Sequence, residues 1–213
     1  MPPIAHLLIA FAAGVVVGVG LVLAQRRARE YQNWGEQLVA GALGDRFSAP
    51  DFHLLNHVTL PLKDGSTQVD HILVSRFGVF VIETKDYKGW IFANAKQATW
   101  TQVLYRSKFR FRNPIFQNLG HVRAVQDLLD FLPSGAVRSA VVFTGEAKFK
   151  TDVPEGVFDL PGLVRYIRES EVEVMSVNRV QFCVGRLETA RLAITAQTDV
   201  EHIQSLERRH GAA

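Results

Sequence analysis

Cysteine is nearly absent: Cys183 is the one thiol in 213 residues. A lone cysteine forms no internal disulfide, so a disulfide-stapled secreted scaffold is excluded. A Cys-based zinc or iron–sulfur site built from one chain is excluded as well. The sequence also lacks internal repeats and low-complexity tracts, which rules out a repeat architecture. A large net charge is missing too. Lys and Arg number 24 against 21 Asp and Glu, leaving +3, so overall charge does not identify a polyanionic partner and the local distribution must. A disordered chain is excluded by the apolar and aromatic content, 47% and 10%.

Charge is absent altogether from one stretch. Ile4 to Ala24 contains no Asp, Glu, Lys or Arg, and His6 is its only ionisable side chain. Twenty-one helical residues reach roughly 31 Å, about one hydrocarbon core. Arg26, Arg27 and Arg29 follow directly. A signal peptide carries its positive charges before the apolar run and a small-residue cleavage site after it; here the order is reversed. An uncleaved single-pass anchor at residues 4–24 is therefore expected, in a bacterial-type inner membrane, with the rest of the chain in the cytoplasm. Gly14 and Gly18 are spaced for close approach of two anchors as a weak homodimer. The plainer reading is that glycine is common in membrane helices.

Apolar spacing sets the expected elements of the remainder. Trp34, Leu38 and Ala42, with Val39 and Leu43 beside them, share a helical stripe between an Asn33 cap and Gly44. Phe52–Leu62 reads as a strand, Lys63-Asp64-Gly65-Ser66 as a turn, and Gln68–Val74 as a second strand. After a turn at 75–78, Val79–Lys85 is apolar on both faces until Glu83, as a central strand should be. Trp90–Val103 is expected to be an edge hairpin. Asn113-Pro114 starts a helix running to about Phe131. Ser139–Thr144 is a buried strand, residues 157–160 a short one, and Leu163–Glu169 a short helix. Residues 176–210 hold two helical patterns, the last opened by a Thr198-x-x-Glu201 capping box. Helix, three strands, helix, strand implies an α/β fold with a mixed sheet.

Asp70, Glu83 and Lys85 stand out because isolated charges in interior strands are costly unless paired or metal-bound. A two-residue turn that pairs Ser75 with Gly78 sets Asp70 directly opposite Glu83, with Cβ atoms about 4.5–5.5 Å apart. Glu83 and Lys85 share a face by the period of two. Two carboxylates this close repel unless a cation or a proton separates them. Hard oxygen ligands suit Mg²⁺ (or Mn²⁺), completed by waters and substrate phosphate, and a nearby ammonium stabilises developing charge. These are the parts needed for phosphodiester hydrolysis. The competing reading is a structural ion pair at an exposed strand end.

Four segments together resemble the NERD (nuclease-related) domain: Gly35-Glu36-x-x-Val39, Gln68 to Val74, Gly78 to Lys85, and Asn113-Pro114-x-x-Gln117-Asn118. They come in the family's order and cover about residues 34–145. The resemblance implies a restriction-endonuclease-like core (α-β-β-β-α-β, mixed central sheet flanked by helices) of the PD-(D/E)xK superfamily, here preceded by a transmembrane helix. It also implies that Asp70, Glu83 and Lys85 form the D…ExK triad. Glu36 becomes an additional carboxylate, making Asp70, Glu83 and Glu36 the metal ligands, and Gln117 faces the site. Val69 replaces the superfamily's proline before the aspartate, which is not a ligand. The expected organisation is an anchor (1–24), a basic juxtamembrane linker (25–33), a nuclease-like domain (34–150) and a C-terminal extension of a strand and helices (151–213).

Arg106, Lys108, Arg110 and Arg112 interleave with Tyr105, Phe109 and Phe111. In a strand the four cations share one face and could meet the phosphates of DNA or RNA while rings stack on bases. An edge strand blocked by charge, or an anionic membrane surface, explains the same pattern. Lys88 is placed to line the groove, whereas Trp90 suits core packing. His121, one turn from Gln117, reads equally as a supporting group or as a surface histidine. His53, His57 and His71 lack metal-ligand spacing, and Cys183 suits a buried small hydrophobe. Two functions result: a membrane-anchored metal-dependent nuclease, or a catalytically silent nuclease-fold module that docks nucleic acid or a protein partner.

Overall fold

The computed structural model describes residues 33–210. The expected anchor at 4–24, with its Gly14/Gly18 pair, lies outside the described residues. Among the described residues no helix is long and apolar enough to cross a membrane.

Asn33 accepts the backbone N–H of Glu36 and starts helix α1 (Trp34–Gly44). Strands β1 (Phe52–Leu62), β2 (Gly65–Ser75) and β3 (Gly78–Lys85) follow as an antiparallel meander. Strands β4 (Gly89–Phe92), β5 (Thr99–Leu104) and β6 (Ser107–Arg112) come next. Helix α2 (Pro114–Leu128) leads into β7 (Val137–Phe143), β8 (Ala147–Phe149) and β9 (Val157–Asp159). Helices α3 (Leu160–Arg168), α4 (Val177–Ala190) and α5 (Ala196–His210) close the chain.

The main sheet has the order β1-β2-β3-β7-β9, with β7 parallel to both of its neighbours. It is mixed, as the sequence implies. Helices cover both faces, which is why β3 is apolar as far as Ile82; it is buried from Gly78 to Thr84. On one face, Val39 and Leu43 of α1 and Leu163 and Ile167 of α3 pack on Leu73, Phe80 and Ile82. On the other, Val122 and Val125 of α2 and Val180, Cys183 and Leu187 of α4 pack on Ile72, Val74, Val79 and Val81. Burying a Leu, Ile or Phe side chain this fully contributes about 1.5–3 kcal/mol. Cys183 is fully buried, as expected, and burial pushes its thiol up to about 11.

Two expectations need correction. Residues 90–103 form the expected antiparallel hairpin, β4 with β5, but it is not at a sheet edge. They belong to a separate four-stranded sheet, β6-β5-β4-β8, whose inner face packs Ile91 and Trp100 on Val141 and Phe143. The last helix starts at Ala196, ahead of the expected Thr198 cap. Thr195 Oγ1 accepts the Thr198 N–H at 3.1 Å, and the Thr198 hydroxyl turns inward to donate to the Ala193 carbonyl at 2.7 Å. That helix docks on β2 through polar contacts, including Ser66 Oγ to His202 Nδ1 at 2.9 Å and Gln68 Nε2 to Asp199 Oδ1 at 3.2 Å.

The start of α1 lies against the ends of β3 and β7. A Cβ on Gly35 would sit 2.6 Å from Thr144 Oγ1 and 2.7 Å from Asp86 Cβ. Gly35→Ala is expected to cost about 1–3 kcal/mol through overpacking, more than the roughly 0.5–1 kcal/mol an alanine gains in a helix. Chemical denaturation measures it; an unchanged midpoint would refute the close approach.

Candidate active site

β2 and β3 pair in the expected register from Ser75↔Gly78 to His71↔Ile82, and the ladder then stops. The next pair would be Asp70 with Glu83. Instead Asp70 Oδ2 accepts the backbone N–H of Thr84 at 2.7 Å, so a side chain takes a place that a backbone carbonyl would hold. Pairing with β1 is interrupted at the same level. His57, between the pairs Asn56↔His71 and Val58↔Val69, has φ +50°. The site therefore occupies the point where β2 leaves β3.

Glu83 is only 2% exposed. Its Oε1 accepts from Lys85 Nζ at 2.6 Å, and its Oε2 lies 3.1 Å from His121 Nε2. Lys85 Nζ also donates to Gln117 Oε1 at 3.2 Å. His121 Nδ1 is 2.7 Å from Thr67 Oγ1. A proton on Nε2 satisfies both sides of the ring: it donates to Glu83 and accepts from the Thr67 hydroxyl. Gln117 and His121 reach the same group because they lie one turn apart on α2. Asn118 fixes the helix there, donating from Nδ2 to the Val81 carbonyl at 2.8 Å and the Ala140 carbonyl at 3.0 Å. Glu36 enters from α1, its carboxylate held by the Asn33 side-chain amide.

The electrostatics follow from crowding. Burial raises the Asp70 carboxyl well above its ordinary value, and Glu83 and Glu36 add to this. Burial also raises Glu36, to about 7, with Glu83 next in effect. Burial opposes the Glu83 charge as well, but the His121 hydrogen bond and the Lys85 charge outweigh it and hold Glu83 below its ordinary value. Lys85 is held above its ordinary value, because Glu83 and then Asp70 outweigh its desolvation. Thus Glu83 is held ionised by the Lys85 charge and the His121 hydrogen bond, whereas burial and mutual repulsion outweigh the Lys85 charge at Asp70 and Glu36.

That donor set can be tested against a metal. Among the described residues, no three His, Cys, Asp or Glu side chains form a ready-made coordination shell, so a closed zinc-type cage does not fit. Mg²⁺ and Mn²⁺ ask for less: one or two carboxylates, several waters and a phosphate oxygen. Asp70, Glu83 and Glu36 offer only oxygen, and two of them are raised first by burial and then by the neighbouring carboxylates, a repulsion that a cation would relieve. The set fits that class of ion.

The remaining expected residues divide. Lys108, Arg110 and Arg112 alternate along β6, share one face and are exposed. Arg106 does not join them, because Tyr105 (φ +55°) and Arg106 form the tight turn between β5 and β6. Lys88 is exposed just ahead of β4. Trp90 is not core: it is 49% exposed, since Ile91 takes the inward place in the strand's alternation. The Glu83–Lys85 ion pair exists, but it is buried beneath α2 instead of lying at an exposed strand end. His71 is enclosed, with Nδ1 2.8 Å from Asn56 Oδ1, and burial lowers it to about 3. His53 meets Gln181 at the surface. The sequence leaves His121 undecided and gives no signal for Thr67, whose contact depends on tertiary packing.

Residues 31–144 match the nuclease-related domain family. A stretch of 97 residues is 41% identical to an uncharacterized protein of Bacillus anthracis, covering 45% of each chain. The match thus spans less than half of that relative. No solved structure matches the chain.

Glu36 and Asp70 hold protons in the folded chain that the unfolded chain has already released. The metal-free protein should therefore lose stability as pH rises from about 4.5 through 7. Thermal melts of the full-length protein in EDTA should show this loss, Glu36→Gln should reduce it, and Mg²⁺ should restore more at pH 8 than at pH 5.5. Equal stabilisation by Mg²⁺ at both pH values would contradict a carboxylate site in competition with protons.

Proposed function

Because the chain belongs to the nuclease-related domain family, matched over residues 31–144, we propose that it is a membrane-anchored, divalent-metal-dependent nuclease hydrolysing phosphodiester bonds of DNA or RNA. The observation that carries this reading is the parting of β2 from β3, which leaves Asp70, Glu83 and Lys85 on the face under α2. The order α1, β1–β3, α2, β7 around a mixed sheet supports a restriction-endonuclease-like core. Strands β4–β6 of the second sheet are then an insertion between β3 and α2, and β8, which follows β7, completes that sheet.

Asp70, Glu83 and Glu36 are the residues that would hold Mg²⁺ or Mn²⁺. When bound, such an ion supplies Lewis-acid polarisation of the phosphoryl oxygen and a more acidic water. Lys85, held by Glu83 and Gln117, positions the attacking water and meets the negative charge that grows on the phosphoryl group. His121 keeps Glu83 ionised and oriented. Lys88, Arg106, Lys108, Arg110 and Arg112 supply positive charge for the polyanion.

The occupation of both Glu83 oxygens by Lys85 and His121 favours a second reading, a catalytically silent module that binds nucleic acid. One preparation separates the two. Full-length protein should pellet with membranes and resist alkaline extraction. Once purified, it should cleave labelled DNA or RNA with Mg²⁺ or Mn²⁺ and stop in EDTA. Lys85→Ala should lose at least about 10²-fold in rate, and Asp70→Asn and Glu83→Gln should be inactive. Equal cleavage by wild type and the three variants would refute the mechanism, and binding without cleavage in any metal would establish the silent module.

A further inference from the structure

The four-stranded sheet has two unlike faces. Its inner face carries Ile91 and Trp100, with Phe111 and Phe149 packed against them. Its outer face places Trp90 and Phe92, 49% and 40% exposed, in the middle of a field of cations. Cross-strand register fixes the neighbours. Trp90 lies beside Val103 and then Lys108 on one side, and beside Lys148 of β8 on the other. Phe92 lies beside Thr101 and then Arg110, and Arg112 pairs with Thr99. Lys150 Nζ sits 4.7 Å from the centre of the Trp90 ring. None of the four strands contains an Asp or a Glu.

Such a surface is unfavourable to leave uncovered. Two large rings meet water, and the cations on β6 repeat every second residue, about 6.7 Å apart, with no acid to offset them. An edge strand blocked by charge accounts for β6. It does not account for Trp90 and Phe92 on β4, an inner strand of this sheet. The complement of a face that alternates rings and cations is a chain that alternates flat bases and phosphates. A duplex hides the faces of its bases, so only an unpaired strand can use the rings.

We propose that the outer face of this sheet is a binding platform for single-stranded nucleic acid. Bases stack on Trp90 and Phe92, and phosphates lie along Lys108, Arg110 and Lys148. Lys150 covers the Trp90 ring in the free protein and moves to a phosphate when a base takes its place. The platform rests on the nuclease reading for its choice of polyanion. It adds the form of the substrate, an unpaired strand delivered by the sheet whose last strand runs through Asn113 into the helix bearing Gln117.

The test is fluorescence anisotropy on the full-length protein in EDTA, with labelled oligothymidylate and, separately, the same strand in a duplex. The single strand should bind at least about tenfold more tightly. Trp90→Ala and Phe92→Ala should each weaken it about tenfold, while duplex affinity changes less than about twofold. The surface pair Lys148→Glu and Lys150→Glu should weaken both ligands and flatten the salt dependence. Single-strand affinity unchanged by loss of either ring overturns the platform. So does tighter binding to vesicles of anionic phospholipid that is lost in the same ring variants, which would make the face a membrane surface. Binding is read without metal, so failure of cleavage leaves the platform standing, and cleavage with ring-independent binding removes the platform alone.

Discussion

A carboxylate taken out of water must be given partners, and Glu83 is the place where this fold meets that demand. Its desolvation works against the charge, and the surroundings answer with an ammonium, an imidazole and, through them, an amide and a hydroxyl. The four partners come from three parts of the chain: Lys85 from β3 itself, Gln117 and His121 from α2, and Thr67 from β2. Removing one member would leave another buried without its partner, which costs more than the pair itself contributes. The network therefore ties the position of α2 to the end of the central strand.

The same network sets the asymmetry of charge from which the chemistry follows. The Lys85 charge and the His121 hydrogen bond hold Glu83 ionised, whereas burial and the neighbouring carboxylates raise Asp70 and Glu36. Asp70 is held close by a backbone N–H, made available because β2 stops pairing with β3. A continuous ladder would have satisfied that N–H with a carbonyl and left the carboxyl free to turn away. Departure from regular strand pairing is what keeps the acidic groups together.

Much of this could be read from the residues. Aspartate and glutamate in otherwise apolar strands, a two-residue turn and the strand period bring Asp70 to the same end of the hairpin as Glu83 and Lys85, although the ladder stops one pair short of setting Asp70 opposite Glu83. The Asn33 and Asn113 caps mark the starts of α1 and α2. What stayed hidden depended on contacts distant in sequence. His121 looks like any helix histidine until Thr67, 54 residues earlier, is beside it. Trp90 reads as core because tryptophan is apolar; its exposure is decided by Ile91 taking the inward position. The second sheet needed β8, whose three residues carry no pattern of their own. The Thr198 cap failed because Thr195, whose hydroxyl is a chemically equivalent acceptor for a helix N–H, lies one turn earlier.

The central claim is that the crowded carboxylates receive a hydrated divalent ion. An anomalous difference map from crystals grown with Mn²⁺ addresses it directly. The account predicts a single strong peak among Asp70, Glu83 and Glu36. A map with no peak there would contradict it.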